Sequence, residues 1–148
     1  IADNIGIRSV RALRSGLLIS RQREDELAAS WQKRIGIRTP DLNNNILSLS
    51  GGNQQKALFA RALASDAEIV LMDDPTRGVD IGTKLEIYDL IRAEAKNGRT
   101  FLWYTTEYDE LDNCDHVYIF HSGQIAADVA RGELTEEKVI QSSFQESA

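Results

Sequence analysis

The chain has 148 residues, of which 42% are hydrophobic and 27% charged, with 10 glycines and 2 prolines. This length and balance predict one globular domain with a single core and exclude a fibrous or disordered chain. The formal net charge of -6 provides no basic field for nucleic acid or for an anionic membrane surface, so neither partner is expected.

Cysteine usage, hydropathy and the first residue bear on the setting of the chain. Cys114 is the only cysteine, which excludes an internal disulfide and predicts a buried or half-buried side chain in a reducing compartment. No apolar stretch reaches the ~20 residues that a membrane-spanning helix needs, so any membrane role is expected to be peripheral. The chain begins with Ile1, and its one methionine is Met72, so we interpret it as part of a longer protein.

The first part of the chain is predicted to be helical. Apolar residues at helical spacing among charged ones predict an amphipathic helix over Ile19 to Ile35. The segment Gly36 to Leu47 is rich in asparagine and predicts a connection. Two glycines and a run of helix formers, Asn53 to Ala64, then predict a second helix with Ser50 as its cap.

Strands and helices alternate in the next part. The wholly apolar run Ile69 to Met72 predicts a strand that is buried on both faces of a parallel sheet. Helical spacing from Asp80 to Lys96 and a second strand at Thr100 to Tyr104 complete a strand–helix–strand unit. Such a unit predicts a right-handed parallel crossover, with ligands at the carboxyl ends of the strands.

The last part is predicted to contain a hairpin between two helices. A short acidic helix is expected near Tyr108 to Asp112. The runs His116 to Phe120 and Gln124 to Val129 flank a three-residue loop and predict a β-hairpin. Thr135, followed by two glutamates, predicts the start of a final helix.

Histidines and aromatic residues are expected to be structural. His116 and His121 have no cysteine or carboxylate at metal-ligand spacing in the sequence, so no zinc site is predicted. Trp31, Trp103 and Tyr104 are expected to pack in the core instead of stacking on bases.

Three motifs occur in a fixed order. LSGGNQQ precedes the helix that starts after Ser50, and Asp73 follows Ser50 by 23 residues, behind four apolar residues. The chain then continues as DPTRGVD, ending at Asp80. In order and spacing, these runs resemble the signature loop, the Walker B strand and the D-loop of the ABC ATPase family.

The resemblance implies a nucleotide site that two domains complete together. A helix N-terminus offers unpaired N–H groups and the positive end of the helix dipole, which suits a terminal phosphate. In the family this loop acts on ATP held by a partner domain, so the implied cofactors are ATP and Mg²⁺ in a composite site. The residues to which the resemblance assigns nucleotide binding are Ser50, Gly51, Gly52, Asn53, Gln54 and Asp80.

The resemblance also assigns catalytic and metal roles. Asp73 takes the position that holds Mg²⁺ through water, and Asp74 that of the general base. Relatives usually have glutamate at the latter position, so the shorter Asp74 side chain withdraws its carboxylate from the attacking water. Thr106 takes the place of the switch histidine, and threonine cannot carry the positive charge that histidine can. Without the resemblance, Asp73 and Asp74 are read as caps of the following turn.

One required element is missing from this sequence. The phosphate-binding Walker A loop needs a Gly-Lys pair, and the chain contains none. The expected fold is therefore α/β, a partial RecA-like P-loop NTPase core with a helical subdomain and without the Walker A portion. We predict a helical signature subdomain at 1–65 and the remainder of the core with a C-terminal helix at 66–148. Uncovered apolar sheet surface is expected to promote self-association.

Within the family, LSGGNQQK and DDPTRGVDIGTK are similar to the second domain of ribose-, xylose- and galactose-type importer ATPases, over about Ile1 to Phe144. The likeness implies an ATP-binding subunit of a carbohydrate importer at the cytoplasmic face of the inner membrane. Its implied partners are a sister ATPase domain, the membrane permease and, indirectly, a periplasmic sugar-binding protein. The chain alone is expected to be inactive. The alternatives are a non-catalytic interaction module and a non-transport ABC ATPase acting on nucleic acid or ribosomes.

Overall fold

The computed structural model describes residues 1–15 and 18–144, and the chain forms two compact units, residues 1–104 and 105–148. The helices and strands of the first unit are α1 (Ala2–Gly6), α2 (Val10–Leu13), β1 (Arg14–Ser15), β2 (Leu18–Ile19), α3 (Arg21–Ile35), α4 (Gly51–Leu63), β3 (Ile69–Asp73), α5 (Ile81–Lys96) and β4 (Thr100–Tyr104). Those of the second are β5 (His116–His121), β6 (Gln124–Ala130) and α6 (Glu136–Phe144). The predicted subdomain boundary at residue 65 stays a prediction.

The first of the two predicted long helices, α3, has well-defined ends. It begins after Ser20, whose hydroxyl accepts a hydrogen bond from the Arg23 N–H at 3.4 Å. It ends at Gly36, which has a left-handed φ of 66° that glycine adopts without steric cost. The connection that follows contains one short 3₁₀ turn, Ile46–Ser48.

The parallel strand–helix–strand unit is confirmed. β3 and β4 pair in parallel, with Ile69 opposite Thr100 and Asp73 opposite Tyr104, and α5 connects them. On one face of this pair Val70 and Met72 are buried in the main core. The carboxyl ends of both strands therefore lie side by side, next to the segment that joins β3 to α5.

Burial of β3 on both faces, in contrast, is wrong. Ile69 is 59% exposed and Leu71 75% exposed, while Val70 and Met72, which alternate with them, are buried. Leu102 and Tyr104 of β4, on the same face by register, are 54% and 59% exposed, so Tyr104 does not pack in the core as expected. The helices cover one face, and we call the other, formed by Ile69, Leu71, Leu102 and Tyr104, the open sheet face.

A continuous core joins the helices to the sheet. Buried residues from α1, α3, α4, β3 and α5 form one cluster, against which Trp103 packs. The Trp103 and Tyr88 ring centroids are 5.5 Å apart. Trp31 is buried, and the Arg34 guanidinium lies 4.6 Å from its ring centroid, a cation–π contact. Both tryptophans are thus packing groups, as predicted.

A buried carboxylate also links these elements. Glu94 of α5 is only 3% exposed and forms ion pairs with Arg34 of α3 and, at 2.9 Å, with the Arg99 Nε. Arg99 in turn donates to the Leu63 carbonyl at 2.8 Å and the Ser65 carbonyl at 3.1 Å, at the end of α4. Charge pairing compensates the burial of Glu94 and fixes α3, α4 and α5 together.

The second unit is built around the predicted hairpin. β5 and β6 are antiparallel, and because His121 pairs with Gln124 the loop is the two residues Ser122 and Gly123, not three. Their φ values are 50° and 80°, the pattern of a type I′ turn, which matches the twist of the strands. The predicted acidic helix is a 3₁₀ helix, Tyr108–Asn113, and the Thr135 hydroxyl accepts from the Lys138 N–H at the start of α6.

Cysteine and histidine environments complete the second unit. Cys114 is half-buried, as predicted, and burial raises the pKa of its thiol. His116 Nε2 forms a cross-strand hydrogen bond with Asp128 Oδ1, a carboxylate that sequence spacing did not reveal. Among the described residues there is no group of three or more potential metal ligands. No helix in the described ranges combines the length and apolar character needed to span a bilayer.

Candidate functional site

The turn before α4 is exposed and ends at Ser50, whose hydroxyl is hydrogen-bonded within the turn. Leu49 is buried, whereas Ser50 is exposed with an extended backbone (φ -61°, ψ 156°) in the N-cap position. Its hydroxyl accepts a hydrogen bond from Asn53 Nδ2 at 2.9 Å, and within the described residues it caps no backbone N–H. The prediction of Ser50 as the cap is thus right in position and wrong for the side-chain bond. The first N–H groups of α4 have no intrahelical partner.

Two amide side chains stabilise this turn through hydrogen bonds to backbone groups of the same chain. Asn53 Oδ1 accepts from the Arg38 N–H at 2.8 Å, and Gln54 Nε2 donates to the Leu49 carbonyl at 2.8 Å. Asn53 and Gln54 therefore hold the loop in shape. Their predicted contact with nucleotide stays a prediction, and the groups at the helix start that suit phosphate are backbone N–H groups of the turn.

Asp74 follows β3 in an unusual backbone conformation. Its φ is 42°, and its N–H donates to the Tyr104 carbonyl at 3.0 Å. Asp74 Oδ2 lies 3.9 Å from Arg77 Nη1. Non-glycine residues in this region cost free energy and are concentrated at functional sites, with aspartate among the better tolerated. The chain thus sets the Asp74 side chain at the sheet edge by a strained turn.

Asp73 is the last residue of β3 and is exposed. No hydrogen bond or ion pair to its carboxylate occurs within the described part of the chain. Mg²⁺ keeps several water ligands and commonly binds through only one or two carboxylates. An exposed carboxylate without a protein partner fits that donor requirement, so the residues present are compatible with Mg²⁺ held at Asp73.

The loop from Asp74 to Asp80 is compact, and we call it the 74–80 loop. Thr76 is fully buried. The Arg77 N–H donates to the Asp74 carbonyl and the Val79 N–H to the Thr76 carbonyl, each at 3.2 Å. Gly78 has a φ of 72°, which allows the second of these overlapping turns to close. The loop is therefore anchored at its centre and held by its own backbone.

Asp80 ends this loop as the cap of α5. Its carboxylate accepts from the Thr83 N–H at 3.0 Å and from Thr83 Oγ1 at 2.8 Å. These bonds lower the pKa of Asp80 because they favour its charged form, and the bond from the Thr83 backbone N–H has the largest effect. Asp80 is thus the N-cap of α5, and its predicted contact with nucleotide stays a prediction.

The structure brings the α4 start and the 74–80 loop together. Gln55 Nε2 donates a hydrogen bond to the Pro75 carbonyl, and a Cβ on Gly52 would lie 3.5 Å from Asp80 Oδ2. Sequence reasoning did not single out Gln55. Its position next to Asn53 and Gln54, both predicted site residues, was the sequence signal that could have identified Gln55. Thr106, the remaining predicted residue, is exposed and belongs to the second unit.

Comparison with known families identifies the family of the chain. The sequence profile described as ABC transporter matches residues 3–77, which include the α4 turn and most of the 74–80 loop. The chain belongs to the ABC transporter family. The roles of signature loop for the Ser50 turn and of Walker B strand for β3 stay predictions.

Sequence relatives of this ABC transporter chain are sugar import proteins. The arabinose import ATP-binding protein AraG of Burkholderia pseudomallei is 42% identical over 151 residues, covering 100% of this chain and 30% of that protein. The ribose import ATP-binding protein RbsA 2 of Rhizobium meliloti is 44% identical over 142 residues, covering 95% of this chain and 28% of that protein. The chain thus spans about 30% of the length of the relatives it matches.

Solved structures agree on the ABC ATPase fold. A nucleotide-free ATP-binding cassette from an ABC transporter superposes with a TM-score of 0.77 at 24% identity, covering 98% of this chain and 62% of that one. A dimeric bacterial ABC transporter cassette gives a TM-score of 0.74 at 23% identity, covering 88% of this chain and 56% of that one. The predicted fold, a partial ABC ATPase core of mixed helices and strands, is confirmed.

Proposed function

We propose that this chain contributes a signature loop, Walker B strand and D-loop to a composite ATP site of a carbohydrate importer. The observation that carries the proposal is the exposed Ser50 turn. Its amide side chains are occupied in bracing, while the backbone N–H groups at the start of α4 have no helical partner. Such a turn binds a phosphate through backbone N–H groups and the helix dipole.

Each predicted residue except Asp80 has a proposed part in that site. Ser50, Gly51 and Gly52 bind the terminal phosphate of ATP that a sister domain holds, while Asn53 and Gln54 keep the turn in shape. Asp73 holds Mg²⁺ through water, and bound Mg²⁺ neutralises charge on the phosphates. Asp74 orients the attacking water from a withdrawn position, and Thr106 takes the switch position without a titratable group. We propose that residues 1–65 act as the signature subdomain and 66–148 as the remaining core.

The proposed assembly follows from the sugar-import relatives. The sister ATPase domain completes the site, and closure of the pair on ATP moves the permease subunits that carry sugar inward. The chain would then work at the cytoplasmic face of the inner membrane and depend indirectly on a periplasmic sugar-binding protein. No phosphate-gripping loop occurs in this sequence, so hydrolysis is proposed to need the partner.

We further propose that the chain self-associates through the open sheet face. Leu71 and Leu102 lie opposite each other in register and are both more than half exposed. Removal of contiguous apolar surface from water is favourable. A second copy of the chain has the same surface, so contact between two copies would bury both.

Stimulation of a partner ATPase tests the proposed function. The complete chain is mixed with an ABC ATPase domain that has an intact phosphate loop, and phosphate release is measured. We expect no hydrolysis by the chain alone and a clear increase in the partner's rate on mixing. Ser50→Arg should abolish the increase because the long cation fills the turn.

Ser30→Arg is the matched control, since Ser30 is an exposed residue of α3. It makes the same charge change and should leave the stimulation intact. Hydrolysis by the chain alone, or equal stimulation by the Ser50→Arg chain, would contradict the proposal.

A further inference from the structure

Three contacts connect the first two turns of α4 to the segment that follows β3. The first is the hydrogen bond from Gln55 Nε2 to the Pro75 carbonyl, which is partly buried. Pro75 itself is buried and directly precedes Thr76, the fully buried anchor of the 74–80 loop. Gln55 therefore joins α4 to the buried part of that loop.

The second contact is steric and involves Gly52. A Cβ at Gly52 would lie 2.9 Å from Thr83 Oγ1 and 3.3 Å from Thr83 Cγ2, closer than side chains pack. Thr83 cannot easily move away, because its hydroxyl is bonded to Asp80 at 2.8 Å and its χ1 is restricted by β-branching. At Gly51, by contrast, an added Cβ meets nothing within 4 Å.

The third contact is an ion pair between Lys56 and Glu86. The Lys56 side chain is only 8% exposed, and its ammonium pairs with Glu86 of α5. A buried ammonium needs such a partner, so the pair keeps α4 and α5 at a fixed separation. The hydrogen bond, the close packing and the ion pair thus join α4 at three points to the segment from Pro75 to Glu86.

We propose that Gln55 is a positioning residue, which locks the 74–80 loop to α4 so that the signature turn and this loop move as one body. Gly52 provides the close approach that makes the lock possible. The consequence for activity rests on the proposed function: contact of the Ser50 turn with nucleotide would transmit directly to the loop of the same chain, without a second conformational step.

Hydrogen exchange of the complete chain tests the lock without nucleotide. Gln55→Glu keeps the size of the side chain but replaces the donor with a carboxylate that repels the Pro75 carbonyl. We expect amides of the 74–80 loop, including Arg77 and Val79, to exchange roughly tenfold faster. Amides of α3 should be unchanged, which separates loss of positioning from general destabilisation.

Gln124→Glu is the control for charge, since Gln124 is exposed at the start of β6. It should leave exchange of the 74–80 loop unaltered. Unchanged exchange in the Gln55→Glu chain, or equally faster exchange throughout the first unit, would overturn the proposal.

The two neighbouring glycines provide a second, independent measurement. Gly52→Ala should speed exchange at the start of α5 by displacing Thr83, while Gly51→Ala should not, although both add the same methyl group. The double variant Gly52→Ala, Thr83→Ala lacks the steric clash. Its amides at the start of α5 should therefore exchange no faster than those of the Thr83→Ala chain. Additive effects of these two substitutions would contradict an interlocked packing.

Partner stimulation then separates the inference from the proposed function. If the native chain stimulates the partner ATPase, Gln55→Glu should lower the maximal stimulation about tenfold, with the KM for ATP unchanged because the partner's phosphate loop supplies ground-state binding. Gln55→Asn, too short to reach Pro75, should behave likewise. Failure of the native chain to stimulate would overturn the proposed function, and the exchange results would still decide the lock.

Discussion

Asp74 shows how one residue sets the geometry of a strand end. Its φ of 42° turns the chain directly after β3, where a β-carbon is unfavourable. The sequence predicted a carboxylate at this edge but not its strained backbone, because φ depends on the hydrogen bond to the Tyr104 carbonyl across the sheet. Such a bond has no local sequence signal.

Substitutions at Asp74 should therefore separate backbone strain from charge. We expect Asp74→Ala to unfold more easily than Asp74→Gly by about 1 kcal/mol, because an alanine β-carbon is disfavoured at positive φ and glycine has none. Urea unfolding of the two variants measures the difference. If Asp74→Ala matches or exceeds Asp74→Gly in stability, the turn does not hold this conformation in solution.

At the scale of helices and strands, the N-cap of α5 should stabilise the fold to an extent that depends on pH. The Asp80 pKa is lowered below its ordinary value of 3.8 by hydrogen bonds from Thr83. Because the folded-state pKa is the lower one, the charged cap contributes its full stability above pH 3.8 and loses it as the pH falls through the folded-state value.

Asp80→Asn is the matched variant, because asparagine also caps helices but does not titrate. We expect the native chain to be the more stable at neutral pH and the difference to shrink below about pH 4. Thermal unfolding across this pH range measures it. A difference that does not vary with pH would mean that charge adds nothing to the cap.

Most helices and strands could be predicted from the sequence, and the errors in their prediction have physical causes. Periodicity located α3 and α5 because each buries one apolar face in the core, and a run of helix formers located α4. The hairpin loop was one residue too long in the prediction, since β-propensity does not reveal that His121 still pairs with Gln124. The Ser50 hydroxyl was expected to bond to the backbone, but the neighbouring Asn53 amide competes for it.

At the scale of the whole molecule, the open sheet face is the basis of the self-association that we propose. The apolar run in β3 correctly predicted a sheet strand, but periodicity cannot tell whether both faces are covered. One layer of helices packs against this pair in the described structure, and Leu71 consequently remains 75% exposed.

We expect the chain to self-associate at high concentration and Leu71→Lys to reduce this, because a charge on the open sheet face opposes burial. Leu47→Lys is the control, since Leu47 is exposed to the same degree, 76% against 75%, but lies outside the sheet. Light scattering over a concentration series measures the mass. A native chain that stays monomeric throughout would contradict the expectation.

The site was predictable where it depends on motif spacing, and less so where it depends on contacts. Order and spacing predicted the Ser50 turn and Asp73 as site residues, and the family match covers the range that contains both. Their roles stay predictions. The link through Gln55 to the Pro75 carbonyl spans 20 residues and appears only once α4 and the loop are folded. The subdomain division at residue 65 remains a prediction, although the main core includes residues from both sides of it.

That shared core also gives the chain two optical reporters. Trp31 belongs to α3, under Arg34, whereas Trp103 belongs to β4, beside Tyr88. Indole emission depends on how far water reaches the ring, so Trp31→Phe and Trp103→Phe each leave a single tryptophan in one layer. Comparing the two emission curves distinguishes cooperative melting of helices and sheet from stepwise loss of one layer.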